Sequence, residues 1–269
     1  MTALTYTLSD SATMLRRNLR RLLHYPSLTL LLVGMPIVFL LLFVYVFGGQ
    51  LGAGLGAHPA AHGDRSAYLT YVVPGILILT VASAALGTAL SVAMDMTEGI
   101  IDRFRTMAIA RSAVLTGHVI GSLIQTLIGL AIVLGLAVVL GFRSPAGLLD
   151  WLGAIGMLAL FAFALIWLSA ALGLAAKSVE TASNTPLFLT LLPLFSSGFV
   201  PTATMPDGLR QFAEYQPFTP VTQTVRGLLG GTSTGGHAMV AIAWSLGITV
   251  VCYLWSVRLY DRRRAADPK

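Results

Sequence analysis

Residues 95–112 read DMTEGIIDRFRTMAIARS and form the largest charged island in an otherwise apolar sequence. Of its six charged side chains the first three are acidic and the last three are basic. They surround Ile100, Ile101, Phe104 and Met107, and long apolar runs lie on both sides. This composition is typical of a short amphipathic helix at a membrane surface. The stretch therefore predicts a chain that crosses a membrane before and after it, with the island open to contact from the aqueous phase.

The overall composition points in the same direction. Hydrophobic residues make up 56% of the 269 residues and charged residues 10%, whereas an ordinary soluble domain has about 25% charged residues. Mean hydropathy is +0.80. Fifteen of the 17 basic residues are arginines, which suit anionic lipid headgroups. We interpret the formal charge of +6 as basic residues that set the orientation of the chain in the membrane, and we predict no nucleic-acid binding.

Six apolar runs are expected to form transmembrane helices, because a helix needs about 20 apolar residues to cross the hydrocarbon core. The runs cover 27–47, 68–94, 113–140, 152–176, 185–199 and 238–257. The fifth run is short and contains Pro186 and Pro193. The sequence thus predicts an all-α integral membrane protein with six transmembrane helices in a single domain, 1–269.

An interfacial helix is expected before the first run. Residues 11–25 place leucines on one stripe of a helix and four arginines on another, which suits a helix lying on an anionic leaflet. A soluble partner-binding helix is the alternative.

Two short helices are expected between runs five and six. Thr204, Pro206 and Asp207 form one helix-start signal, and Thr219-Pro220 forms another. The helices would cover about 205–215 and 219–229 and re-enter the outer leaflet, where short helices occur only when protein buries them or they line a cavity. Because the start signals would fix two rigid pieces around the Tyr215-Gln216-Pro217 elbow, we expect them to act as a lid, with outer-gate residues Phe212, Tyr215 and Pro217.

The distribution of basic residues predicts the orientation. Thirteen Lys and Arg residues lie in the N-terminal segment, the island, the second loop on that side and the C-terminal tail. The opposite side has only Arg65, Arg143, Arg210 and Arg226. By the positive-inside rule the first side is cytoplasmic. We therefore expect a multi-pass protein of the inner or plasma membrane with both termini in the cytoplasm.

No motif for catalysis or metal binding is found. The chain has no phosphate-binding loop of the form G-x-x-x-x-G-K-[ST]. His58 and His62 are four residues apart, but Pro59 argues against a helix that would present them to a metal. His118 is read as an interface residue rather than a proton relay. We therefore expect neither an enzyme nor a metal site, and the energy for any transport would come from another chain.

The order of several motifs resembles that of ABC-2 type transporter permeases, especially the daunorubicin/doxorubicin-resistance branch. In the island the resemblance rests on Glu98-Gly99 and on Thr106-Met107-Ala108, although the family commonly has proline where Ala108 stands. Towards the C-terminus it rests on three further motifs: Phe199-Val200-Pro201 through Pro206, Tyr215-Gln216-Pro217-Phe218-Thr219-Pro220, and Val225-Arg226-Gly227.

The resemblance implies the permease subunit of an ATP-binding cassette exporter for an amphipathic or hydrophobic drug or lipid-like substrate, with drug efflux and antibiotic resistance as its biology. Two copies of a cytosolic ATPase would hold ATP and Mg, and a second permease, identical or related, would complete the complex. The island would be the coupling helix, with ATPase contacts at Glu98, Ile100, Ile101, Asp102, Arg103, Phe104 and Arg105.

The resemblance also implies a translocation path along the first and fifth spans. By position its apolar residues would be Met35, Phe39, Phe43, Leu194, Phe195 and Phe199. One alternative from another class stays open. The chain would then be a non-transporting membrane assembly or anchoring component whose island recruits a cytosolic protein.

Overall fold

The computed structural model describes residues 26–48, 65–97, 111–176 and 178–265, and all regular structure in these ranges is helical. The α-helices are α1 (Pro26–Leu41), α2 (Arg65–Thr97), α3 (Arg111–Val139), α4 (Leu148–Ala175), α5 (Val179–Asn184), α6 (Leu187–Leu191), α7 (Asp207–Tyr215), α8 (Phe218–Leu229) and α9 (His237–Ala265). The all-α prediction is confirmed for these ranges.

Four of the described helices are long and apolar enough to cross a membrane, namely α2, α3, α4 and α9. Helix α1 continues into a π-helical turn, Leu42–Phe47, and its apolar part, Leu32–Phe47, is shorter than those four. A total of six spans stays a prediction.

Helix α2 is the centre of the packed bundle. Of its most apolar stretch 72% is buried, against 17% for α9. Helices α1, α3 and α4 all pack against α2. At Gly173 of α4 an added Cβ atom would lie 2.6 Å from the carbonyl oxygen of Ala89. Glycine at this position therefore lets α2 and α4 pack backbone against backbone.

The fifth apolar run, 185–199, does not form one continuous helix. Helix α6 covers only Leu187–Leu191, and a 3₁₀ turn, Leu192–Phe195, follows it. Pro186 and Pro193 explain the interruption, because proline has no N–H to continue a helical hydrogen-bond series. The chain then turns at 196–200 and enters a connecting segment, which we define as residues 196–236 and which contains α7 and α8.

Asp207 lies in the first turn of α7 as predicted, but the threonines of both start signals act differently from the prediction. Helix α7 has Pro206 as its N-cap, whereas Thr204 lies in a 3₁₀ turn and its hydroxyl donates to the carbonyl of Pro201 at 2.8 Å. Thr219 lies inside α8, which begins at Phe218. Its hydroxyl oxygen accepts a hydrogen bond from the amide of Ser197 at 3.2 Å. These polar side chains therefore fix neighbouring backbone instead of capping helices.

Candidate functional site

A half-buried arginine joins the connecting segment to the central helix. Arg226 lies in the last turn of α8. Its Nη2 donates to the carbonyl oxygens of Ser197 at 2.8 Å, Tyr71 at 3.2 Å and Gly198 at 3.3 Å. Its Nη1 donates to Oε1 of Gln223 at 3.3 Å. We call the contacts of Arg226, Tyr71, Gly75, Ser197 and Gly198 the Arg226 junction.

The ring of Tyr71 also contacts the guanidinium of Arg226. The Arg226 Cζ atom lies 4.0 Å from the ring centroid, which is cation–π geometry. The Tyr71 hydroxyl donates to the carbonyl of Ser197 at 3.1 Å, and Arg226 uses the same oxygen. A cation–π contact shielded from water contributes about 2 kcal/mol. Ring and guanidinium together therefore hold the turn at Ser197 against α2.

Neutral oxygens, not a carboxylate, surround this charge. In the described part of the chain no Asp or Glu forms an ion pair with Arg226. Carbonyl dipoles and the negative end of α8 stabilise the cation instead. Burial lowers the pKa of the Arg226 guanidinium and Tyr71 opposes that shift, but an arginine keeps its proton in proteins. The junction therefore carries a positive charge.

Two glycines allow the backbone of the turn to touch α2. A Cβ atom added to Gly75 would lie 2.6 Å from the carbonyl oxygen of Gly198, and one added to Gly198 would lie 3.0 Å from the Cα of Gly75. Pro74 precedes Gly75 inside α2 and cannot donate the amide hydrogen bond of a regular helix. The pair Pro74-Gly75 thus forms a notch in α2 that receives the turn.

The elbow between α7 and α8 is tied to the same turn. Gln216 is buried and its Nε2 donates to the carbonyl of Phe195 at 2.6 Å. The Oε1 atom of Gln216 and the hydroxyl of Ser197 are buried and have no hydrogen-bond partner within the described residues. Two buried polar groups near the Arg226 junction therefore have no hydrogen-bond partner among the described residues.

A cavity of about 290 Å³ opens beside Arg226. It is lined by Thr70, Tyr71, Arg226, Leu229, Gly230 and Thr232. Two of these residues, Thr70 and Tyr71, lie within the first turn of the apolar stretch of α2 that begins at Tyr68. The cavity is therefore level with one end of the membrane-crossing bundle.

The structure brings together three of the six predicted path residues. The rings of Phe39 and Phe43 lie 6.1 Å apart, and those of Phe43 and Phe199 lie 4.7 Å apart and stacked. Leu194 is partly buried against the core. Met35 and Phe195 are exposed on the surface, at 60% and 45%. The first and fifth runs thus share an aromatic contact, and a role in translocation stays a prediction.

The predicted gate residues lie at or near the protein surface. Phe212 and Tyr215 on α7 are 50% and 79% exposed. Pro217 is the N-cap of α8 and is partly buried.

Several predicted features lie outside the described residues. These are the interfacial helix 11–25, the histidines His58 and His62, Ala108, and the coupling residues Glu98, Ile100, Ile101, Asp102, Arg103, Phe104 and Arg105. In the ranges that are described, no group of three or more His, Cys, Asp or Glu side chains is placed to hold a metal.

The Arg226 junction is the feature that pattern reading missed. From the sequence, Arg226 is one of four basic residues on the outward side and part of one motif. The only signal in the sequence was the Val225-Arg226-Gly227 motif of the family resemblance, which marked the residue without giving it a role. Its acceptors were out of reach of pattern reading, since Tyr71 and Ser197 lie 155 and 29 residues away in the chain.

Comparison with known families defines the class of protein. The model of the family described as ABC-2 type transporter matches residues 11–229, which is most of the chain and includes both halves of the Arg226 junction. The chain therefore belongs to the ABC-2 type transporter family, and the resemblance inferred from its motifs is confirmed. It is a membrane-spanning permease of this family.

Individual relatives narrow the class further. The chain is 31% identical over 258 residues to the daunorubicin resistance ABC transporter permease protein DrrB1 of Streptomyces coeruleorubidus, covering 96% of this chain and 88% of that protein. It is 24% identical over 218 residues to the probable doxorubicin resistance ABC transporter permease protein DrrC of Mycobacterium tuberculosis, covering 81% and 76%. The likeness to drug-resistance permeases thus extends over nearly the whole chain.

Proposed function

We propose that the chain is the permease subunit of an ATP-driven exporter that moves an amphipathic or hydrophobic drug or lipid-like substrate out of the cytoplasm. The observation that carries this proposal is the 31% identity to a daunorubicin resistance permease over 96% of the chain. The apolar character of α2, α3, α4 and α9 supports a greasy substrate over a long sugar chain.

The proposed complex supplies the energy from outside this chain. The sequence has no phosphate-binding loop of the Walker type, so two copies of a cytosolic ABC ATPase would hold ATP and Mg. A second permease, identical or related, would face the first. The stacking of Phe43 on Phe199 supports a path formed jointly by the first and fifth runs, because it shows that they share a surface.

Coupling would pass through the charged island. Ile101 and Phe104 would insert as apolar anchors on the ATPase, while Arg103 and Arg105 would bond acidic or carbonyl groups around them, the pairing expected of an interface hot spot. In the orientation that the positive-inside rule predicts, both termini and the island would be cytoplasmic. Helices α7 and α8 would lie on the outer side, where α7 would gate the exit.

The test is reconstitution of the permease with its ATPase in inside-out vesicles, with daunorubicin as the probe. We expect ATP-dependent daunorubicin uptake by the wild type. The double variant Phe104→Ala, Arg105→Glu should lose an anchor of about 2 kcal/mol and oppose any acidic partner. It should insert normally, co-purify poorly with the ATPase and take up little daunorubicin.

Two controls separate the possible outcomes. An ATPase variant without its Walker lysine should assemble with the permease but abolish uptake. If the double variant keeps wild-type ATPase association and wild-type uptake, the island is only a topology device. If the wild-type complex binds its ATPase but moves no substrate under any condition, the assembly or anchoring alternative holds.

A further inference from the structure

We propose that the cavity beside Arg226 is a phosphate-binding site whose occupant is the headgroup of an anionic phospholipid. The proposal concerns a site separate from the aromatic path, and it does not depend on which substrate the exporter carries. It rests on three observations about the cavity: its charge, its free donor capacity and its position in the bundle.

The charge of the cavity calls for an anion. Arg226 lines it and is surrounded by neutral oxygens, with no ion-pair partner in the ranges that the structure describes. Carbonyl dipoles only partly offset the loss of hydration that a buried cation suffers. A phosphate oxygen would add the missing negative charge, and arginine is the side chain best suited to bind it.

The guanidinium also has a donor left for such a ligand. Arginine has five N–H groups. Those on Nε and Nη2 are used by the carbonyls of Tyr71, Ser197 and Gly198, whereas Nη1 has a single acceptor, the Gln223 side chain. One Nη1 hydrogen therefore has no acceptor among the described residues. A ligand in the cavity can take it without breaking the contacts of the Arg226 junction.

The position and size of the cavity favour a lipid headgroup. Its wall residue Tyr71 lies three residues into the apolar stretch of α2, which is the depth at which tyrosines meet headgroups. The volume of about 290 Å³ is at the lower limit for drug-sized ligands, whose pockets measure about 300–1,000 Å³. A headgroup is smaller than such a ligand and suits this volume, with Tyr71 as an apolar wall.

The experiment measures thermal stabilisation of the full-length permease in a neutral detergent. Three probes are titrated separately: phosphatidylglycerol, phosphatidylcholine and inorganic phosphate. A ligand that binds only the folded state raises the melting temperature with a saturable dependence on its concentration. We expect phosphatidylglycerol to give a saturable rise and phosphatidylcholine a smaller one.

Two variants test the site in different ways. Arg226→Gln removes the charge and should abolish the saturable rise. Because this variant also disturbs the junction, Thr232→Glu provides an independent test, since Thr232 is an exposed residue of the cavity wall. Its carboxylate would repel the phosphate, so the half-saturating concentration of phosphatidylglycerol should rise by about tenfold or more.

Matched controls exclude general effects of charge and size. Thr232→Gln has the same shape as Thr232→Glu without the charge, so the difference in half-saturating concentration between these two variants measures the effect of the charge alone. Arg210→Gln removes an exposed arginine of the same segment that already pairs with Glu214 at 2.9 Å, and it should also bind like the wild type.

The outcomes separate the source of the phosphate from the existence of the site. A saturable rise that is larger with phosphatidylglycerol than with phosphatidylcholine, is absent with inorganic phosphate and shows the expected variant pattern supports an anionic lipid headgroup. Saturation by inorganic phosphate with the same pattern supports a phosphate site filled from solution. No saturable rise in the wild type, or equal rises in the wild type, Arg226→Gln and Thr232→Glu, would overturn the proposal.

Discussion

Helices α7 and α8 are separated by only Gln216 and Pro217, yet their surroundings are opposite. In α7 only Ala213 is buried, whereas nine of the 12 residues of α8 are buried. Helix α8 packs on α4 and α9 as well as on α2. The connecting segment therefore has a fixed half, α8, and an exposed half, α7.

The sequence of each helix explains the difference. In α8 the hydroxyls of Thr222 and Thr224 donate to carbonyls of their own helix, both at 2.7 Å. These polar side chains can therefore be buried without leaving a hydroxyl that lacks a hydrogen-bond partner. Phe218 packs edge-on against Phe161 of α4, with ring centroids 5.1 Å apart. In α7, by contrast, charged side chains point to the surface. Only α8 can therefore serve as an anchor.

The largest effect is expected from removing the anchor itself. Arg226→Met keeps much of the apolar stem and deletes the donors to Tyr71, Ser197 and Gly198. Hydrogen bonds to a charged group contribute about 1.5–3 kcal/mol each to stability, and their contributions do not add fully. We therefore expect the free energy of unfolding to fall by about 3 kcal/mol. The measurement is the melting temperature of the purified permease. The control, Arg210→Gln in α7, should change stability by less than about 0.5 kcal/mol. Equal effects of the two variants would remove the contrast between the helices.

A smaller effect is expected where the turn touches α2. In Gly75→Ala the new Cβ atom would lie 2.6 Å from the carbonyl oxygen of Gly198, so one backbone must shift. Overpacking of this kind costs about 1–3 kcal/mol. In the control Gly208→Ala, on α7, an added Cβ meets nothing within 4 Å. The melting temperature of Gly75→Ala should be lower than that of Gly208→Ala. An unchanged melting temperature of Gly75→Ala would show that the turn is not tightly packed in the notch.

The exposed half should matter for export and not for stability. Phe212 is 50% exposed on α7, so Phe212→Cys should leave the melting temperature unchanged. Cross-linking this cysteine to the matching residue of the second permease should block daunorubicin uptake in the reconstituted vesicles while leaving assembly intact, because a gate must move. Cys252 is replaced by serine in this background. Full uptake after complete cross-linking would show that α7 is not a gate.

The parts of the fold that depend on local pattern could be predicted from the sequence. The short helices expected at about 205–215 and 219–229 are seen at Asp207–Tyr215 and Phe218–Leu229, because prolines and apolar periodicity act within a few residues. The roles of Thr204 and Thr219 could not be predicted in this way. A local rule assigns the side chain of Thr219 to a helix cap. In the structure its hydroxyl oxygen instead accepts a hydrogen bond from the backbone amide of Ser197, which lies 22 residues away in the chain.

The candidate site was predictable only in part for the same reason. The family resemblance placed Phe43 and Phe199 among six path residues without pairing them, and the structure shows that the rings of these two are in contact. The Arg226 junction required three segments to meet, and nothing in the pattern around Arg226 indicates that Pro74-Gly75 forms a notch for the turn at Gly198. Contacts of this kind are set by tertiary packing, which periodicity does not encode.

Amide hydrogen exchange on the full-length permease tests the contrast between α7 and α8 most directly. Exchange rates report local opening, and buried, packed helices open far more rarely than exposed ones. We predict that peptides from 218–229 exchange about 100-fold more slowly than peptides from 207–215, which corresponds to about 2.7 kcal/mol, and that Arg226→Met removes most of this difference. Equal exchange of the two helices in the wild type would contradict the account of a fixed α8 and a movable α7.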